Sequence, residues 1–226
     1  MKKGNLPARF PQDEFDMLKR NLVKYECALS IVMTKLNNLN AYYKSQEDLV
    51  SPIDHIMYRI KSPESIAGKL KKKDLPLTAA EAENALKDIA GVRIICFYAK
   101  NIYELAEVMR SQSDFRVISE KDYLSSPKES GYRSYHMILE VNLEGLFGKE
   151  TCLVEVQLRT SAMDFWAQLE HKVRYKYGGE MPQHLSQDLQ NCAERIHELD
   201  NRMYLIHELV ELINAPIGDE KQEEGN

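Results

Sequence analysis

The chain has 226 residues, 43% of them hydrophobic and 29% charged, with a net charge of −5. That is enough for one domain with its own core, and too acidic for general nucleic-acid binding, which needs a basic surface to displace counterions from phosphates. No apolar run approaches the roughly 18 residues needed to span a bilayer, and the opening MKKGNLPARFPQDEF lacks the apolar stretch and cleavage site of a secretory signal.

In chain order, a first helix is expected from Pro11-Gln12-Asp13, with Asp13 as its cap. Phe15, Leu18, Leu22, Tyr25, Leu29, Val32, Met33 and Leu36 then recur at helical spacing, to about Tyr43. An extended piece around His55 to Ile60 leads into a helix entered through Ser62-Pro63-Glu64, with proline in its first turn. DIAGVRIICFYA (88–99) is a run of β-branched residues and reads as a strand; residues 101–112 read as a helix and FRVI (115–118) as a short strand. YHMILEVN (135–142) and CLVEVQLR (152–159) are strands joined by LEGLFGKET, whose two glycines suit a hairpin. A further helix spans about Ser161 to Tyr177 and stops at Gly178-Gly179. In the last helix Leu185, Leu189, Cys192, Ile196, Leu199, Met203, Ile206, Val210 and Ile213 form a heptad seam, which fits either a helix lying on its own domain or an interface between subunits. The sum is an α+β fold, a mixed, mostly antiparallel sheet of about five strands flanked by helices, with long helices at both ends of the chain. Cys27, Cys96, Cys152 and Cys192 lie far apart with no CxxC pair, which argues against a zinc site or disulfide framework and for reduced thiols in a cytoplasmic protein.

The chemistry concentrates in four places. In CLVEVQLR, alternation puts Glu155, Gln157 and Arg159 on one face and Val154, Val156 and Leu158 on the other. The polar face is either solvated or, if Asp88 lies on a neighbouring strand, half of a site in which two carboxylates hold one divalent cation with phosphate oxygens completing the shell. The stretch YRIKSPESIAGKLKKK supplies Arg59, Lys61, Lys69, Lys71, Lys72 and Lys73. Ser65, Lys69 and Lys72 share a helical face near an N-terminus, which suits a polyphosphate or is a plain solvated surface. On the helix from Ser161, Met163, Trp166, Leu169 and Val173 define an apolar arc that encloses Glu170, while Asp164, Gln168, His171 and Tyr175 form a polar stripe. His136 and His171 lack a metal-ligand spacing. In KESGYRSYH (128–136), Gly131 permits close backbone approach and Tyr132 offers a π face to a purine. Lys128 and Arg133 are placed to meet phosphates; a purely structural tyrosine turn is the alternative.

Together and in this order, YRIKSPESIAGKL, DIAGVRIIC, ESGYRSYH and VEVQLRTSAMDFWAQLEHKVRYK resemble the synthetase domain of the RelA/SpoT family, and most nearly its single-domain small alarmone synthetases. The resemblance implies a nucleotidyltransferase-like fold and transfer of the β,γ-pyrophosphate of ATP to the ribose 3′-hydroxyl of GDP or GTP, giving ppGpp or pppGpp. It implies that Asp88 and Glu155 bind Mg2+, with Glu155 also activating the hydroxyl, and that Arg59 and Arg93 sandwich the adenine. Lys61, Ser65, Lys69 and Lys72 match contacts to the ATP phosphates, Lys72 standing where some relatives carry arginine. Tyr132 matches the tyrosine stacked on guanine, Lys128 and His136 fall near the acceptor's phosphates, and Gln157, Asp164 and Glu170 line the acceptor side, Asp164 where close relatives carry asparagine.

The expected organisation is one synthetase domain over residues 1–216, with a core of about 50–180, terminal helices of about 13–43 and 184–213, and a disordered tail over 217–226. The family's long members carry an N-terminal hydrolase with a His-Asp motif; this chain has no such dipeptide, so synthesis without hydrolysis is expected. The terminal helices resemble those through which small synthetases form homotetramers. Two other readings keep part of this: pyrophosphate transfer to an adenine nucleotide or a tRNA 3′ end, and a non-catalytic nucleotide- or RNA-binding regulator.

Overall fold

A computed structural model describes residues 8–46, 50–145, 148, 150–177 and 181–214. In chain order the elements are α1 (Gln12–Ser45), β1 (Ile53–Ile60), α2 (Pro63–Lys72), α3 (Ala79–Ala85), β2 (Ala90–Cys96), α4 (Ala99–Arg110), β3 (Phe115–Asp122), β4 (Tyr135–Asn142), β5 (Thr151–Thr160), α5 (Ser161–Tyr177) and α6 (Gln183–Asn214). The five strands form one sheet in the order β1-β2-β5-β4-β3. Only the central β2–β5 pair is parallel. The expected mixed, mostly antiparallel sheet flanked by helices is the fold observed.

The sheet has two chemically different faces. Val92, Ile94, Val154, Val156, Leu158, Met137 and Leu139 turn to one side and join Leu18, Leu29, Val32 and Leu36 of α1, Ile66 and Leu70 of α2, Ala82 of α3 and Ile102 and Leu105 of α4 in one buried cluster. The other face carries the polar side chains described below, with α5 and α6 at one end. All four cysteines are free thiols, and burial pushes that of Cys96 up to about 12, well away from the reactive thiolate.

Several local expectations change. The α1 N-cap is Pro11 and makes no side-chain cap; Asp13 lies inside the first turn, where its charge favours the positive end of the helix dipole. Strand β3 runs on to Asp122, past the expected FRVI. Helix α3 has no counterpart in the sequence reading; it starts at Thr78, whose hydroxyl accepts the Glu81 N–H at 3.2 Å. Gly178-Gly179 and the 217–226 tail lie outside the described residues.

Helix α6 meets its domain through a stripe that shares Ile196 with the heptad seam and otherwise departs from it. The contact side is Ala193, Asp200, Tyr204 and His207: Ala193 is buried against Trp166, Thr160 Oγ1 donates to Asp200 Oδ2 at 2.6 Å, and Tyr98 packs on Tyr204 and stacks on His207 with centroids 4.7 Å apart. The Trp166 indole N–H donates to the Leu189 carbonyl at 3.0 Å. From Leu199 on the seam is rotated away, and Leu199, Met203, Ile206, Val210 and Ile213 are all exposed. Gly131, with φ of 86°, packs so closely on α6 that a Cβ placed there would stand 2.5 Å from the Ala193 Cβ. Gly131→Ala therefore combines a left-handed backbone with a clash, and we expect a loss of about 1–3 kcal/mol, read as a lower denaturation midpoint with an unchanged m-value. A midpoint equal to wild type would show that the loop does not rest on α6.

Candidate functional site

The register explains how residues distant in sequence share one surface. Arg59 pairs with Gly91 and Met57 with Arg93 across β1–β2; Gly91 pairs with Glu155 and Arg93 with Gln157 across β2–β5; Gln157 pairs with His136 across β5–β4, and His136 with Lys121 across β4–β3. Paired residues on adjacent strands point to the same side. Arg59, Arg93, Glu155, Gln157 and His136 therefore form a polar row across the sheet. Gly91, at its centre, adds no side chain and leaves room above the strand.

Two clefts meet on this row. The first, about 170 Å³, is lined by Met57, Tyr58, Arg59, Asp88, Gly91, Val92, Arg93, Glu155 and Gln157. The second, about 470 Å³, is cationic on balance, with Lys69, Lys73, Lys87, Lys121 and Lys128 around Tyr123, His136, Asp88, Glu120 and Glu155. Asp88 and Glu155 belong to both. The geometry is that of two adjoining ligand spaces with a pair of carboxylates on the shared wall.

Asp88, just ahead of β2, accepts from Lys61 Nζ at 2.7 Å and Lys69 Nζ at 2.5 Å, both at Oδ2. Its Oδ1 is buried with no hydrogen-bond partner. Burial pushes the Asp88 carboxyl up, but the two lysines outweigh it and hold the group below the ordinary aspartate value. Glu155 is also lowered on balance: burial raises it, the hydrogen bond and charge of His136 lower it, Gln157 donating to Oε2 at 2.9 Å lowers it further, and the charge of Asp88 raises it. Both groups are ionised at neutral pH. Because their folded-state pKa values are depressed, the stability they contribute is present above the ordinary carboxylate range and is lost as pH falls through the lowered values. Among the described residues no cluster of three or more His, Cys, Asp and Glu side chains forms a protein-only metal cage. An orphaned, ionised carboxylate oxygen beside a second carboxylate fits a hard cation that draws its remaining ligands from substrate oxygens.

Around Tyr132 the hydroxyl accepts from Arg159 Nη2 at 2.5 Å and lies 2.8 Å from His136 Nε2, while His136 Nδ1 lies 3.4 Å from Glu155 Oε1. Lys128 Nζ sits 4.7 Å from the Tyr123 ring and 4.8 Å from the Tyr132 ring. Tyr132 is half-buried beside this lysine, its ring also packed against the Trp166 and Ala193 cluster.

The remaining expected site residues are placed less directly. Ser65 and Lys72 are exposed on α2 and line neither cleft; Ser65 gives its N–H to Ser62 Oγ at the helix cap. Glu170 pairs with Arg174 along α5 and also lies outside both clefts. The apolar arc read on α5 is only half buried: Met163 and Trp166 face inward while Leu169 and Val173 are exposed. Asp164, assigned to the polar stripe, faces inward instead and is 5% exposed. Its Oδ1 pairs with Arg159 Nη1 at 2.9 Å and Arg93 Nη1 at 3.0 Å, and its Oδ2 accepts from Gln168. Arg133 turns from phosphates to the Leu124 carbonyl, donating at 2.7 Å.

Sequence reasoning placed Arg159 on the polar face of β5 without giving it a role, and missed Lys87 and Lys121 of the second cleft. Arg159 is 4% exposed and donates to Tyr132, Gln157, Asp164 and Ser134. Alternation with Glu155 and Gln157 was its sequence signal, and its four partners came only with the fold. Lys121 was within reach of a longer β3, since it pairs with His136.

Residues 58–180 match the region found in RelA/SpoT proteins. The chain is 40% identical over 185 residues to the GTP pyrophosphokinase YwaC of Bacillus subtilis, an alignment that covers 82% of this chain and 88% of that protein. Among solved structures, the small alarmone synthetase 1 of Bacillus subtilis bound to its product pppGpp superimposes with a TM-score of 0.78 at 38% identity, covering 85% of this chain and 97% of that one. The same Bacillus protein bound to AMPCPP gives a TM-score of 0.73 at 36% identity, covering 87% and 98%. Two clefts meeting at a carboxylate pair and these matches lead to one assignment: the chain belongs to the RelA/SpoT family.

Proposed function

We propose that the chain is a (p)ppGpp synthetase, a GTP diphosphokinase that moves the β,γ-pyrophosphate of ATP onto the ribose 3′-hydroxyl of GDP or GTP. The observation that carries this is the pair Asp88 and Glu155 on the wall common to two clefts. Relatives named as GTP pyrophosphokinases, and a structural neighbour bound to pppGpp, support it.

In this reading the first cleft takes the adenine of ATP between Arg59 and Arg93, and the second takes the acceptor nucleotide. The phosphates of ATP compete with Asp88 for Lys61 and Lys69, which frees Oδ2 of Asp88; Ser65 and Lys72 extend the cationic face of α2. Lys128 moves from the tyrosine rings to the acceptor's phosphates, which opens Tyr132 to the guanine; His136 and Gln157 stand beside it, and Asp164 and Glu170 act from α5. The 3′-oxygen forms its bond to the β-phosphorus while the bond between that phosphorus and the α,β-bridging oxygen breaks, and AMP leaves with that oxygen. Glu155, already ionised, accepts the hydrogen bond of the 3′-hydroxyl and takes its proton as the bond forms. Asp88 and Glu155 would hold Mg2+, which supplies neutralisation of the charge developing on the phosphates.

The exposed α6 seam, with exposed Met17, Val23 and Tyr42 on α1, supports a homotetramer built through the terminal helices. Among the described residues no helix is long and apolar enough to cross a membrane, consistent with a cytoplasmic enzyme working on free nucleotides.

Incubation with ATP, Mg2+ and GDP should yield AMP and ppGpp, and GTP should give pppGpp. Glu155→Gln should lower kcat at least a hundredfold, the lower end of the ~10²–10⁴ range for loss of a general base, with thermal stability retained; wild-type turnover in that variant would remove Glu155 from the reaction. Sedimentation should give a species of about four times the 26.1 kDa chain, and Leu199→Glu with Ile206→Glu should dissociate it. A monomeric wild-type protein would contradict the assembly.

A further inference from the structure

The two clefts are joined beneath the sheet surface by a continuous charged network. Arg93, on the wall of the first cleft, lies 3.0 Å from Asp164 Oδ1 through Nη1. Arg159 Nη1 donates to the same oxygen at 2.9 Å, and its Nη2 donates to the Tyr132 hydroxyl. Tyr132 then reaches His136, which lines the second cleft. From this arrangement we infer that Asp164 is a positioning residue that couples occupancy of the two clefts, so that a nucleotide bound in one tightens binding in the other. The inference rests on the two-nucleotide reading above and deepens it.

The physical ground is that one buried carboxylate oxygen serves two guanidinium groups. A carboxylate this buried cannot leave its charge unpaired, so a shift of either arginine is felt by the other. Arg159 has little freedom of its own: Ser134, Gln157 and Tyr132 take its remaining donors, and its Cζ lies 5.0 Å from the Tyr132 ring centroid. Arg93 is the loose end. Its Nε is buried without a partner, and its contact with Asp164 is an ion pair outside hydrogen-bond alignment. A purine stacked on Arg93 fixes the plane of that guanidinium and holds it against Asp164. Asp164 in turn orders Arg159, and Arg159 orders the tyrosine that meets the second nucleotide. Whichever nucleotide binds first meets the cost of ordering the shared network, and the second does not.

Such a route also assigns Asp164 a role other than reading a base. Both of its oxygens are engaged by Arg93, Arg159 and Gln168. A neutral amide at this position would still fill the space but would offer one acceptor where two cations now share a charge.

Isothermal titration of the unreactive α,β-methylene analogue of ATP, with Mg2+ and with or without saturating GDP, measures the coupling directly. For the wild-type protein GDP should tighten the analogue by about fivefold or more, the lower end of ordinary coupling between sites, and the analogue should tighten GDP by the same factor. Asp164→Asn and Tyr132→Phe should each bring that factor to within about twofold of one, and the double variant should lose no more than either alone. Tyr132→Phe keeps the ring and removes only the link, so it carries the test if Asp164→Asn fails to fold. Mutual tightening that survives both variants, or wild-type binding of both ligands with no mutual effect, overturns the coupling and leaves the two-nucleotide reading intact. A folded wild-type protein that binds neither ligand overturns both.

Discussion

The parallel pairing of β2 with β5 is the constraint on which the rest of the structure depends. It sets Gly91 beside Glu155 and Arg93 beside Gln157, and brings Asp88, just ahead of β2, to the same wall. A slip of one residue would turn Glu155, Gln157 and Arg159 into the apolar cluster and Val154, Val156 and Leu158 into the cleft. The register is held because the opposite face of both strands is fully committed to burial beneath α1 and α4. The apolar core and the polar site are thus two consequences of one alternation.

Charge is the second organising element. A chain with a net charge of −5 builds a cationic pocket by gathering five lysines from α2 and its C-cap, the segment before β2, β3 and the Tyr132 loop against three acids, Asp88, Glu120 and Glu155. Asp88 and Glu155 are each held below the ordinary value by their partners, Asp88 by Lys61 and Lys69 and Glu155 by His136 and Gln157. Pairing Lys61 and Lys69 with Asp88 avoids leaving like charges facing one another in the cleft.

Much of the fold was legible because its strands alternate cleanly; β4 spans the expected Tyr135–Asn142. Elements without a strong period were harder to see. Helix α3 is only seven residues long, although Thr78 and Glu81 carried a capping signal. The end of β3 lies on a sheet edge, where Ser119 to Asp122 look like loop. In the candidate site, the polar face of β5, Arg159 included, could be read from spacing alone, whereas of the α2 face Ser65, Lys69 and Lys72 only Lys69 lines a cleft. The inward turn of Asp164 could not be read. A helical wheel shows that Asp164 lies apart from Trp166, yet only tertiary packing reveals that two strand arginines wait on its side. The α6 seam was legible as a seam, while the outward direction of its part beyond Ile196 was set by Ala193 and Asp200 on the neighbouring stripe.

The central claim is that Asp88 and Glu155 stand between two nucleotides and share one cation. Crystals grown with the α,β-methylene analogue of ATP, GDP and Mg2+ address it directly. The account predicts one metal ligated by both acids, an adenine between Arg59 and Arg93, and a guanine base on Tyr132 with its 3′-hydroxyl at Glu155. A metal that touches neither acid, or both nucleotides bound away from the β2–β5 wall, would contradict it.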